Sequence, residues 1–203
     1  IDWFEKEVVR ISDQSLGNYL LYYVLFEKKW LDLSEIISLG FPTYKTKVVY
    51  AIQTLMQLFR TEELEGYVSR CVNAAWDASQ RDNDYEYMKS FSYFNQLKSL
   101  SILRRQIANT EAEEFSDNQI SIKKNNHGIK NKEIEILSGY KYSDYYLDAV
   151  DLMLSYLILK PSLMEDVYFA IVDELLFDSS SYNYKYRLEK ELIDAIVNKC
   201  DNW

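Results

Sequence analysis

Histidine occurs once in this chain, proline and cysteine twice each, and glycine five times, in 203 residues. Each scarcity excludes something. Sandwiches and barrels turn sharply and often, and tight turns draw on glycine and proline, so the composition points away from them. Long helices with few sharp reversals remain. A phosphate-binding loop needs glycines leading into a lysine and a helix. No Gly-Lys pair exists, and no glycine-rich segment precedes a helical pattern. P-loop binding of ATP by these residues is excluded.

His127 is the sole imidazole, so a Ser–His or Cys–His pair would have to use it. It stands in an Asn-rich loop beside Gly128, a poor place to fix a catalytic base, and reads as a solvated side chain. Zinc sites of the usual composition fail on count, because Cys71 and Cys200 lie far apart. Both cysteines sit in apolar helical contexts and read as buried, inert thiols, which suits a cytoplasmic protein. No segment approaches the roughly 18 apolar residues of a membrane span. The run from Tyr19 to Phe26 stops at Glu27, Lys28 and Lys29. No signal peptide is visible, and no membrane association is expected. The chain opens on Ile1 rather than Met, which suggests a fragment of a longer protein.

What is present is a globular composition, 48% hydrophobic and 27% charged. A net charge of −9 repels a phosphate backbone, so no nucleic-acid partner is expected. Lys28-Lys29, Arg104-Arg105 and Lys123-Lys124 are small basic pairs of the sort helix surfaces carry. Tyrosine is abundant at 18 residues. It can make a recognition surface or fill helix seams whose outer edge is wet. Most of these tyrosines fall in helical stripes, which favours the seam.

Helical periodicity runs through most of the chain. Trp3, Phe4, Val8 and Ile11 open with a short helix. Ser12 or Asp13 can cap a second, apolar on most sides and therefore expected to be buried, with Leu16, Leu20, Tyr23 and Val24 as one stripe. Asp32 and Glu35 have capping-box spacing, Gly40 is expected to end that helix, and Phe41-Pro42 to turn the chain. Val48, Ala51, Ile52, Leu55, Met56 and Phe59 mark the clearest helix. Gly66 is an expected weak point before a helix to Ala78. Asn83 and Glu86 suggest another box, leading a long helix or helix pair to Ile107 with Phe91, Phe94, Leu97, Leu100 and Leu103 as its packing face. Residues 109–132 are polar and aperiodic, with a short extended piece expected in 115–122. Helicity resumes at Lys132, breaks at Gly139, and restarts from Ser143 with Tyr145, Ala149, Leu152, Met153 and Tyr156 as core stripe. Pro161 closes that helix, and Ser162 with Glu165 suggests a box for the next, lined by Leu163, Val167, Ala170, Ile171 and Leu175. Ser179 to Ser181 read as a turn, and Leu188, Leu192, Ala195 and Ile196 mark the last helix.

The expected fold is all-α, with about eight to ten helices in either an irregular HEAT- or TPR-like repeat array or a multi-helix bundle. Its expected division is a helical subdomain over 1–108, a linker or loop over 109–132, and a second helical subdomain over 133–203.

Two groups stand out. Asp144, Asp148 and Asp151 share a helical face and could hold a divalent cation or do acid–base work. They equally form a solvated acidic face near a helix N-terminus, and that reading is favoured. Tyr140, Tyr142, Tyr145 and Tyr146, with Tyr182, Tyr184 and Tyr186, form two tyrosine clusters and are the candidate partner-binding residues. No catalytic, cofactor-binding or metal-ligating residue is assigned.

The stretch from Ile11 to Tyr23 (ISDQSLGNYLLYY), and the stretches Ile136 to Lys141, Asp148 to Leu157, Lys160-Pro161 and Phe177 to Tyr182, resemble the helical region that follows the nucleotide-binding module in large bacterial STAND-type P-loop ATPases. The resemblance rests on helical patterns and carries over no catalytic residue. It implies a cytoplasmic, non-catalytic scaffold or sensor arm that couples partner recognition to an ATPase elsewhere in the chain, in antiviral defence or signalling. The expected partner is a protein or the rest of that chain. A free-standing adaptor binding a peptide or helix, and a metal-dependent enzyme built on the acidic face, are the alternatives.

Overall fold

The computed structural model describes residues 14–79, 84–114, 128–176 and 185–200. Among them there are nine α-helices and no strand, the all-α fold expected from composition. No helix there is long and apolar enough to cross a membrane. Two compact units meet between Phe94 and Asn95. The division thus falls ahead of 109–132, where it was expected. Its local cause is a break in what looked like continuous periodicity. Helix α4 (Asp84–Phe91) passes into a tight turn at Ser92–Phe94, and Asn95 then caps α5 (Gln96–Ala108) by accepting from the Lys98 N–H at 3.2 Å. The break resets the helical phase. Leu97, expected in the packing face, is 60% exposed, while Leu100, Leu103 and Ile107 are buried.

In the first unit, α1 (Gln14–Tyr22) widens into a π-turn over Tyr23–Glu27. Leu16 and Leu20 stay exposed, contrary to the buried helix expected, and Leu25 is the one fully buried side chain of this stretch. The wider turn changes the phase, so α1 docks through rings instead. Tyr22 stacks on Phe59 at 4.1 Å, and Phe26 lies 5.6 Å from Tyr67. Lys29 closes the turn with φ of +51°. Asp32 caps α2 (Leu33–Leu58), accepting from the Ser34 N–H at 2.7 Å.

The reversal expected at Phe41-Pro42 falls slightly later. Helical geometry passes through Pro42 and fails at Tyr44 (φ −121°, ψ 33°). A methyl group built on Gly40 would lie 3.2 Å from Val48. Residues eight apart in a straight helix are about 12 Å apart along the axis, so α2 is two segments bent sharply at Tyr44. Pro42 has no N–H for the last turn of the first segment, and Gly40 leaves room for Val48 to close over it. Gly66 is no weak point. It lies inside α3 (Glu62–Ala78), which Thr61 caps through the Leu64 N–H and which Glu62, Glu63 and Glu65 favour at its positive end. Leu64, Val68, Cys71, Val72, Ala75 and Trp76 are its buried stripe.

In the second unit, α6 (Lys132–Ser138) is capped by Asn131, and Asp166 accepts from the backbone N–H groups of Lys130 and Asn131. Helix α7 (Tyr146–Leu159) is the core element and buries Ala149, Val150, Leu152, Met153, Leu154, Tyr156 and Leu157. Its C-terminal end holds the chain that follows α5, through the Glu113 N–H donating to Leu159 O at 2.8 Å. Helix α8 (Met164–Phe169) runs into a second π-turn at Ala170–Leu176, and α9 (Arg187–Cys200) ends the described chain. The box expected from Ser162 and Glu165 does not form. The Ser162 hydroxyl donates to Glu113, and Glu165 pairs with Lys130 at 3.5 Å. The expectations for residues 1–13, Asn83, 115–127 and 177–184, and for the Cys200 side chain, lie outside the described residues.

Candidate partner-binding surface

The tyrosines singled out as a contact surface separate into two kinds. Tyr140 and Tyr146 are buried in the second unit. The Tyr140 hydroxyl donates to Gln96 O at 3.0 Å, tying α5 to the end of α6. The Tyr146 hydroxyl donates to Leu188 O at 3.4 Å, tying α7 to α9. Burial pushes each phenol up to about 12. These two are seam tyrosines with satisfied tips, and burial removes them from any partner's reach. Tyr145 is half-buried, whereas Tyr142 is 64% exposed and Tyr186 is also exposed. Tyr142 shares an open hollow of about 370 Å³ with Lys141, Asp144, Arg187 and Leu188. Tyr182 and Tyr184 lie outside the described residues.

Two of the acidic trio face cations. Asp144 precedes α7 and is off its helical face. Asp148 faces Arg104 at 3.8 Å, and Asp151 accepts from the Lys199 ammonium at 2.6 Å. Among the described residues no group of three His, Cys, Asp or Glu side chains could hold a metal ion. In the first unit, Cys71 lines a hollow of about 390 Å³ with Lys29, Asp32, Tyr67 and Arg70. Burial raises its thiol, which keeps it protonated and unreactive at neutral pH. Lys28 and Lys29 cover the rings of Tyr23 and Tyr67, at 5.3 and 5.1 Å.

A wide concavity lies between α7 and α9, an open groove of about 800 Å³ lined by Leu147, Asp151, Ile158, Glu191, Asp194, Ala195, Asn198 and Lys199. Two interactions set its geometry. Tyr146 reaches Leu188, while Lys199 reaches Asp151 and, at 3.0 Å, Ser155. With Tyr146 beside Leu188, antiparallel helices would hold Lys199 about 24 Å from Asp151 and about 30 Å from Ser155 along the axis, so α7 and α9 run in the same direction. Leu147 and Ile158 are 47% and 44% exposed, on the side of α7 away from its packed stripe. This groove was not anticipated from the residues. Its one available signal was two large aliphatic residues out of phase with the core pattern of α7.

No family model, curated protein or solved structure matches this chain.

Proposed function

We propose that the chain is a non-catalytic helical scaffold or sensor segment of a larger bacterial ATPase, acting through protein–protein contact in antiviral defence or signalling. The observation that supports contact as its mode of action is the α7–α9 groove, where bulky aliphatic side chains stand in solvent on a helix whose other face is already packed. Three of the side chains that could have served chemistry hold helices together instead: Asp151 with Lys199, Tyr140 with Gln96, and Tyr146 with Leu188. The link to an ATPase rests on the resemblance of the Ile11–Tyr23 and Ile136–Tyr182 stretches.

Two measurements test this. Phosphate release from ATP with Mg²⁺ is expected to stay at the buffer rate in the presence of the purified chain. Turnover that scales with the concentration of the chain defeats the non-catalytic reading. The natural reading frame is expected to encode a P-loop module upstream. A frame without one removes the ATPase assignment and leaves a free-standing helical adaptor, which the same groove would serve.

A further inference from the structure

We infer that the α7–α9 groove is the docking site for a basic amphipathic helix of a partner protein. Its apolar face seats on Leu147 and Ile158, and its lysines or arginines meet Asp194 and Glu191. This deepens the proposal that the chain works by protein contact and rests on it.

The shape suits a helix. Leu147 and Ile158 are 11 residues apart on α7, which places them about 16 Å apart and matches three turns of a helix lying alongside. Ala195 puts a small side chain on the α9 wall between them, leaving space for a ridge of partner side chains. The walls are braced, because Lys199 joins α9 to both Asp151 and Ser155 of α7. A third helix laid between two fixed ones buries the exposed Leu147 and Ile158 without moving the core beneath.

The charge selects the sign of the partner. The lining carries three carboxylates, Asp151, Glu191 and Asp194, and one cation, Lys199. Lys199 is committed to Asp151 at 2.6 Å, and Glu191 is paired with Arg187 at 3.3 Å. Asp194 has no ion-pair partner among the described residues. An acidic helix would meet repulsion along the α9 wall, and a phosphate backbone would meet it too. A basic helix finds one unpaired carboxylate, Asp194, and a second, Glu191, that shares its charge with an exposed arginine of its own helix. The apolar side chains Ile193 and Val197 are absent from the lining and play no part in this site.

The experiment uses the whole chain and three synthetic helical peptides of equal length. One carries leucines three turns apart flanked by lysines, one has glutamate for every lysine, and one scrambles the lysine peptide. Binding is read by fluorescence anisotropy at two salt concentrations. The lysine peptide is expected to bind at least about tenfold more tightly than the others, and to weaken with salt. Asp194→Lys is expected to cut its affinity about tenfold, and Ala195→Trp, which fills the groove, to abolish it. Leu147→Gln replaces Ala195→Trp if the latter lowers the melting temperature. Equal binding of the lysine and glutamate peptides overturns the inference. So does binding that none of the three variants disturbs, or no binding to the folded chain. A concentration-dependent dimer lost in Ala195→Trp overturns it in favour of a second copy as occupant. None of these outcomes touches the ATP measurement, so failure of the groove and failure of the non-catalytic reading are told apart.

Discussion

The two units solve helix packing with different side chains. The first is held by rings. Trp76 and Tyr87 stack at 5.8 Å with planes 12° apart, and Phe41 lies 4.5 Å from Tyr87 and 5.2 Å from Phe91, bringing α2, α3 and α4 together. The Trp76 indole N–H donates to Asp84 at 2.8 Å, which places the start of α4. The second unit has an aliphatic centre on α7, and its tyrosines act at the edges through their hydroxyls. In the first unit aromatic residues mainly supply packing area; in the second, Tyr140 and Tyr146 add directed hydrogen bonds that tie helices together. The same residue type is therefore expected to fail in different ways when changed.

The largest break should come from Trp76→Ala, which empties a fully buried site and orphans the ring stack. A loss of about 3–5 kcal/mol in denaturant unfolding is expected. Met153→Ala, at the buried centre of α7, is expected to cost about 2–5 kcal/mol without any ring-stacking contribution. If Trp76→Phe recovers no more stability than Trp76→Leu, the aromatic account of the first unit is wrong.

The hydroxyl account of the second unit is tested by Tyr140→Phe and Tyr146→Phe. Each is expected to cost about 1 kcal/mol at neutral pH. Alkali sharpens the test. The folded phenols titrate near 12, above the value of about 10 of an unfolded tyrosine. Between those pH values the folded state binds more protons than the unfolded one. Stability from this source is thus complete below pH ~10 and falls as pH rises towards 12. Either phenylalanine variant should flatten part of that decline, and an unchanged alkaline slope would show that these phenols are not what the fold protects.

A smaller effect of opposite sign is expected at Gly66. A methyl group there would meet the Arg70 guanidinium at an ordinary 3.6 Å, and the residue is inside α3. Gly66→Ala should stabilise by about 0.5–1 kcal/mol in thermal unfolding. Least of all should come from Asp148→Asn. Its pairing with Arg104 is long and exposed at both ends, and a change within about 0.5 kcal/mol is expected.

Much of the helical pattern was legible because it is local. Period marks most of α3, α6 and α7, and the cap expected at Asp32 and the break expected at Gly139 stand where their residue types predict, whereas the Thr61 cap of α3 was not anticipated and Ser143 is not the N-cap of α7. The errors cluster where helices change phase. The break at Ser92–Asn95 rotates the side chains that follow, so a stripe extended across it misassigns Leu97, and the π-turn after α1 puts Leu25 out of phase with Leu16 and Leu20, which stay exposed. The site was less legible than the fold. Two of the chosen tyrosines proved to be seam residues, because a tyrosine's identity does not say whether its hydroxyl meets a carbonyl or water.

The residues by themselves determined that this chain is helical, where some of its helices start, and that it carries a strong negative charge. These follow from backbone propensity, capping chemistry and simple summation, none of which needs a distant neighbour. Only the tertiary structure decided which carboxylates are neutralised and which apolar residues remain in water. Lys199 lies 48 positions beyond Asp151, and no local rule links them. Their pairing aligns α7 with α9, and the groove beside them exists because two helices far apart in sequence were brought side by side.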